Sequence, residues 1–171
     1  DNIDDNTRLI ASSFRIQPKI FPNDPWYRPG TVFVPVDEFG EFHHNFDNDY
    51  FDKWSTEFSK ENDITVRKAG GAGFFCRKMD YEWIGGNDPR FAPAYWEDKD
   101  LFIRMQLEDY QFKMTSKSCV WHFSSRASRF PDDNIKKRPD RLAKIEHEST
   151  IKFIEKWGRL PADDAETFVK P

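Results

Sequence analysis

The chain has 171 residues, a length for one domain with a core of moderate size. Apolar residues make up 37% and charged residues 33%, with a net charge of -4, so a nucleic-acid partner and its basic stripe are excluded as the main reading. The longest apolar runs span only a few residues, so no membrane span is expected, and no signal peptide is visible.

The core must draw on rings. There are 17 Phe, 6 Trp and 5 Tyr, and each buries a large area. The two cysteines, Cys76 and Cys119, lie far apart; they allow a structural disulfide or, as favoured here, two buried free thiols, which fit a reducing compartment and an expected cytoplasmic location. Lys136-Lys137-Arg138 is a short solvated face.

In chain order, Asp1 to Asn6 reads as a loop or helix end. Arg8 to Ile16 reads as a strand. Pro18 to Gly30 is broken by Pro and Gly into a loop, and Thr31 to Val36 is a short extended piece. Asp47 or Asp49 caps a helix through Phe51, Trp54 and Phe58. Ile64 to Lys68 and Gly73 to Arg77 are extended, and Lys78 to Ile84 is a short helix stopped by Gly85-Gly86.

A second helix runs from Asp98 to Leu107, with Leu101, Phe102 and Met105 on one face. Phe112 to Met114 and Cys119 to Phe123 read as two strands, and Pro131 to Pro139 as a polar connector. Arg141 to Trp157 is the longest helical pattern, with Leu142, Ile145, Ile151 and Ile154 inward and Gly158 as its cap. This mixture of strands and helices is an α/β class.

The segment richest in chemistry is Ile84-Gly85-Gly86-Asn87-Asp88, followed by Trp96-Glu97-Asp98-Lys99-Asp100-Leu101 and Arg104. Two adjacent acids at a helix start are favoured by free N–H groups and the helix dipole. A carboxylate held there can take a proton from an attacking hydroxyl, and Tyr95 and Trp96 offer flat faces for a sugar ring. Spacing alone equally permits an N-cap with first-turn acids and a core Trp.

These residues, in this order, resemble the C-terminal part of family 2 glycosyltransferases of the GT-A fold. Gly73-Phe74-Phe75-Cys76-Arg77-Lys78 is similar to the strand ahead of the family's motif. Tyr110 to Lys113 is similar to its Gly-Tyr-Lys segment, with Asp109 where Gly is common. Val120-Trp121-His122 resembles its late Val-x-His, and Lys156-Trp157-Gly158 its closing Lys-Trp-Gly. The resemblance covers residues 69 to 158.

The resemblance implies a mixed GT-A-like sheet flanked by helices, with the N-terminal nucleotide-binding half absent ahead of Arg8. Residues 1–131 would be the acceptor-side part and residues 132–171 a connector and a long helix packed on it. It implies an inverting, metal-dependent hexosyl transfer from a nucleotide-diphosphate sugar to a glycan or other hydroxyl acceptor. Asp98 would be the catalytic base. Trp96, Gly85, Gly86 and Glu97 would bind the acceptor, with Glu97 alternatively orienting Asp98 or serving only as a first-turn helix acid.

His122 would hold a divalent Mn or Mg, or be a structural histidine. Arg126 and Arg129 would clamp the diphosphate, or be surface arginines. Asp100 reads as a structural helix acid, and Arg104 as its intrahelical partner four residues on. The missing nucleotide half is the expected partner of such a chain. The alternative is a non-catalytic carbohydrate-binding or assembly module with a degenerate transferase fold.

Two features are set aside. Asp47-Asn48-Asp49 spells Asp-x-Asp, but it follows polar residues and reads as a helix cap. Gly70-Gly71-Ala72-Gly73 lacks the Lys-Ser/Thr of a phosphate loop. A glycoside hydrolase is disfavoured because Glu97 and Asp98 are adjacent rather than opposed across a bond.

Overall fold

The computed structural model describes residues 8–19, 30–40, 42–67, 73–123 and 140–160. The chain is a mixed α/β protein made of two compact units, each assembled from separate stretches of sequence. The elements are β1 (Leu9–Pro18), β2 (Thr31–Val34), α1 (Asn48–Glu61), β3 (Thr65–Arg67) and β4 (Phe74–Phe75), then α2 (Lys78–Trp83), a 3-10 turn (Pro89–Phe91), α3 (Glu97–Leu107), β5 (Gln111–Trp121) and α4 (Asp140–Trp157).

One unit comprises residues 10–75 and 112–127. Its five-stranded sheet has the order β2-β1-β5-β3, with β4 also paired to β1. The sheet is mixed: β2 runs parallel to β1, whereas β4 is antiparallel to β1 and β3 to β5. Helix α1 starts where the sequence indicates, because the Asp47 carboxylate accepts the Tyr50 N–H at 2.9 Å. The Asp-x-Asp spelling at Asp47 is therefore a cap.

Aromatic residues fill this core. Phe39 is 1% exposed and sits among Phe46, Tyr50, Phe51, Trp54 and Trp121, with ring centroids 5.2–6.5 Å away. Phe14, Ile16, Val34 and Met114 close the same cluster. The edge-on contacts to Phe46, Phe51, Trp54 and Trp121 suit the ring quadrupole and add to plain area burial.

Residues 112–114 and 119–123 read from sequence as two strands; one strand, β5, runs through both and ends at Trp121, two residues short of Phe123. The polar Thr115–Ser118 stretch imitates a turn, but its hydroxyls are satisfied within the sheet. Ser116 is fully buried, accepts the Ile64 N–H at 2.9 Å and donates to the Asn62 carbonyl. Ser118 pairs with Ser13 Oγ at 2.7 Å. A strand tolerates such residues when every buried polar atom has a partner.

The other unit comprises residues 1–9, 76–111 and 128–171. Its helix α3 buries Leu101, Phe102, Ile103 and Met105. Helix α4 packs against the 3-10 turn through Phe153, whose ring lies 6.0 Å from that of Phe91. Its inward face differs from the expected one. Ser149 and Phe153 are buried, Leu142 and Ile145 are half-buried, and Ile151 and Ile154 are exposed. The buried serine explains the misreading, since an apolar count passes over it.

A partly buried ionic contact also holds this unit together. Arg77 forms an ion pair with Asp80 at 2.8 Å, and the buried Tyr110 hydroxyl donates to the same carboxylate at 3.0 Å. Those two hydrogen bonds overcome burial and hold the Asp80 carboxyl below its ordinary value. Asp109, which stands where the resembled family favours Gly, has φ +61°, the left-handed region that Asp tolerates better than most residues. Both cysteines are free.

Phe39→Ala should lower unfolding free energy by about 3–5 kcal/mol in a urea titration, the usual cost of emptying an aromatic core site. Met79→Ala, at a side chain 78% exposed, should change it by less than about 0.5 kcal/mol. Equal effects at the two positions would place the core elsewhere.

Candidate acceptor site

The segment around Glu97 and Asp98 is bent into an unusual shape before α3 begins. Tyr95 and Trp96 have φ +75° and +72°, two successive non-glycine residues in the left-handed region. Each costs on the order of 1 kcal/mol or more, so the surroundings must enforce it. Trp96 occupies the cap position of α3 without a side-chain cap. Its indole N–H instead donates to Thr150 Oγ1 at 2.9 Å, and its ring packs 5.0 Å from Phe153. One part of the Trp96 ring is thus committed to packing on α4.

Just before it, Ser149 Oγ donates to the Ala94 carbonyl at 3.0 Å. Helix α4 therefore grips the 94–96 stretch at two adjacent points. The sequence carries no sign of this grip, because Ser149 and Thr150 look like ordinary polar helix residues.

Glu97 and Asp98 follow as the first two residues of α3, both half-buried. Asp98 Oδ1 accepts the Lys99 N–H at 2.7 Å. Glu97 Oε2 is buried and has no hydrogen-bond partner. An orphaned buried polar atom costs about 1–3 kcal/mol, so each one calls for a specific cause, such as a catalytic role or a bound water, ion or ligand. Burial pushes the Glu97 carboxyl up; its own backbone N–H pulls it down, and the neighbouring Asp98 charge pushes it up again. The net direction is upward.

Asp100, one step further along α3, is wholly buried. Its Oδ2 accepts from Arg104 Nε at 2.9 Å, the i,i+4 pair that the spacing indicates. Its Oδ1 accepts from Trp157 Nε1 at 2.9 Å and lies 2.5 Å from Lys156 Nζ in an ion pair. Lys156 also reaches Asp88 Oδ2 at 2.7 Å, and its ammonium lies over the Phe91 and Trp157 rings. Burial pushes the Asp88 carboxyl up, but Lys156 and the Arg90 N–H outweigh it and hold it below its ordinary value.

Arg104 extends this network to the glycine pair. Its two terminal nitrogens donate to the Ile84 carbonyl at 2.5 Å and the Gly86 carbonyl at 2.6 Å. Gly86 has φ +63°, and a Cβ there would meet the Tyr81 ring at 3.1 Å, so glycine is required for both reasons. Gly85 has φ +84° with open space where a Cβ would stand, which leaves its backbone approachable. Gly85 and Gly86 thus form a clamped, partly open loop, with Asp88 tied down beyond it.

Of the expected site residues, Gly85, Gly86, Trp96, Glu97 and Asp98 all lie in this unit. His122 follows β5 in the sheet-bearing unit. Its backbone N–H donates to the Ile16 carbonyl at 2.8 Å, and its Nδ1 lies 3.2 Å from Gln17 Oε1. Gln17 is buried on β1, a partner the sequence reading missed, because Ser12, Ser13 and Arg15 share that strand and a Gln does not stand out among them. Arg126 and Arg129 lie outside the described residues, as does Gly70-Gly71-Ala72.

Among the described residues no group of three His, Cys, Asp or Glu side chains is arranged to hold a metal ion. The described residues therefore do not by themselves make the expected Mn or Mg site. No described helix is long and apolar enough to cross a membrane. Comparison with known protein families, with curated proteins and with solved structures finds no match to this chain.

Glu97 yields a pH test. Its raised carboxyl favours the folded state below the ordinary Glu value of about 4.3, and that contribution is lost as pH rises through the folded value. Glu97→Gln should therefore be more stable than the wild type at pH 7 and indistinguishable from it near pH 3, measured by chemical denaturation. A stability difference that is the same at both pH values would show that the Glu97 carboxyl titrates alike in the folded and unfolded states.

Proposed function

We propose that this chain is the acceptor-side part of an inverting nucleotide-sugar glycosyltransferase with a GT-A-like sheet. The observation that carries the reading is the buried, partnerless Glu97 Oε2 beside Asp98, on a backbone strained at Tyr95 and Trp96. A hydroxyl-rich ligand is the chemistry that would complete it: a sugar hydroxyl both donates to and accepts from a carboxyl group. Added support comes from the ordered motifs from Gly73 to Gly158 and from the left-handed Asp109 at the family's glycine position.

In this reading the acceptor lies against the Gly85–Gly86 loop and the free portion of Trp96. Glu97 binds one acceptor hydroxyl. Asp98 takes the proton from another as its oxygen attacks the anomeric carbon of the donor. The new carbon–oxygen bond forms while the bond to the nucleoside diphosphate breaks, the diphosphate leaves with the electron pair, and the anomeric configuration inverts. Asp98 is suited to this role because one of its oxygens is oriented by the Lys99 N–H.

The donor's nucleoside, its diphosphate and a divalent metal would be held by other residues. His122 would contribute one imidazole at most. The step assigned to Asp98 draws nothing from the metal.

Asp98→Asn in the full-length protein should lower transfer by about 100-fold or more, the usual worth of a general base, with an unchanged melting temperature. Transfer at the normal rate would remove Asp98 from the chemistry. Calorimetric titration with UDP and Mn²⁺ separates this reading from a non-catalytic glycan-binding module. Metal-dependent nucleotide binding supports the transferase, and glycan binding without it supports the module.

A further inference from the structure

We infer that α4 is a splint for the catalytic corner, and that Lys156 at its end is a positioning residue for Asp98; this rests on the transferase reading above. Ser149 and Thr150 bind Ala94 and Trp96, two to four residues ahead of Asp98. Lys156 and Trp157 bind Asp100, two residues after it. One helix therefore fixes the backbone on both sides of the Glu97–Asp98 pair.

The second grip is the costly one. Asp100 is fully buried, and the Lys156 and Asp88 side chains are 18% and 15% exposed. Two carboxylates, Asp88 and Asp100, share the Lys156 ammonium; Arg104 also pairs with Asp100, and the more exposed Arg90 with Asp88. Two well-packed apolar pairs would commonly be at least as stable as such a buried cluster. What apolar packing would not supply is direction. The ions define where the first turn of α3 sits relative to the Gly85–Gly86 loop, because Arg104 joins Asp100 to the Ile84 and Gly86 carbonyls. Misplacing a reacting group by about 1 Å costs roughly 100-fold in rate.

A purely stabilising role predicts that activity follows the folded fraction. A positioning role predicts that the two separate. Lys156→Met, studied where it is fully folded, should lower transfer kcat by about 10- to 100-fold while leaving the donor KM within about two-fold. It should also lose amide-exchange protection over residues 94–100. Lys156→Arg should restore most of both.

The double variant Lys156→Met with Asp88→Asn removes one charge of each sign. It should regain thermal stability yet keep the low kcat. The inference is overturned if the folded Lys156→Met enzyme transfers at the wild-type rate, or if kcat recovers along with stability in the double variant. Should the wild type transfer no sugar, the transferase reading fails separately. The exchange measurement then still decides the splint: unchanged protection over residues 94–100 in Lys156→Met overturns it.

Discussion

The buried Asp100 carboxylate is the interaction on which the candidate site depends. It is wholly excluded from solvent, yet it takes hydrogen bonds from Arg104 and Trp157 and forms an ion pair with Lys156. A carboxylate in that position without partners would be strongly destabilising, and removal of one partner from a buried pair costs about 3–5 kcal/mol. Its neighbours are therefore not optional. They draw together three stretches distant in sequence: the glycine loop, the start of α3 and the end of α4.

The strain next to it follows from the same arrangement. Tyr95 and Trp96 hold left-handed backbone that aromatic residues avoid. The Ser149, Thr150 and Phe153 contacts on one side and the Asp100 cluster on the other over-determine the path between them. Glu97 emerges from this segment with an oxygen that no protein group satisfies. Stored strain and an orphaned acceptor at one place are the features expected where a ligand completes a structure. Under the proposed reading, that ligand is the acceptor sugar.

Much of the scaffold was legible in the residues. Asp47 announced α1, the i,i+4 spacing of Asp100 and Arg104 announced their pair, and Gly85-Gly86 ended α2 as glycines do. Other features were hidden for identifiable reasons. β5 looked interrupted because Ser116 and Ser118 are polar, and only their long-range partners make them suitable for a strand. The face of α4 was misjudged at Ile151 and Ile154 because its real contacts are made by Ser149, Phe153, Lys156 and Trp157. Lys156-Trp157-Gly158 was visible as a pattern, but nothing in a linear sequence indicates that Lys156 reaches Asp88 across 68 residues. Periodicity records burial of apolar surface; it does not record which buried ions find one another.

In the proposed reading, this corner activates a hydroxyl for displacement at a sugar's anomeric carbon. The most direct measurement incubates the full-length protein with a panel of nucleotide sugars and hydroxyl acceptors and reads the product's anomeric proton coupling by NMR. The account predicts a new glycosidic bond whose anomeric configuration is opposite to that of the donor. Retention of the donor's configuration, or no transfer from any donor across the panel, would contradict it.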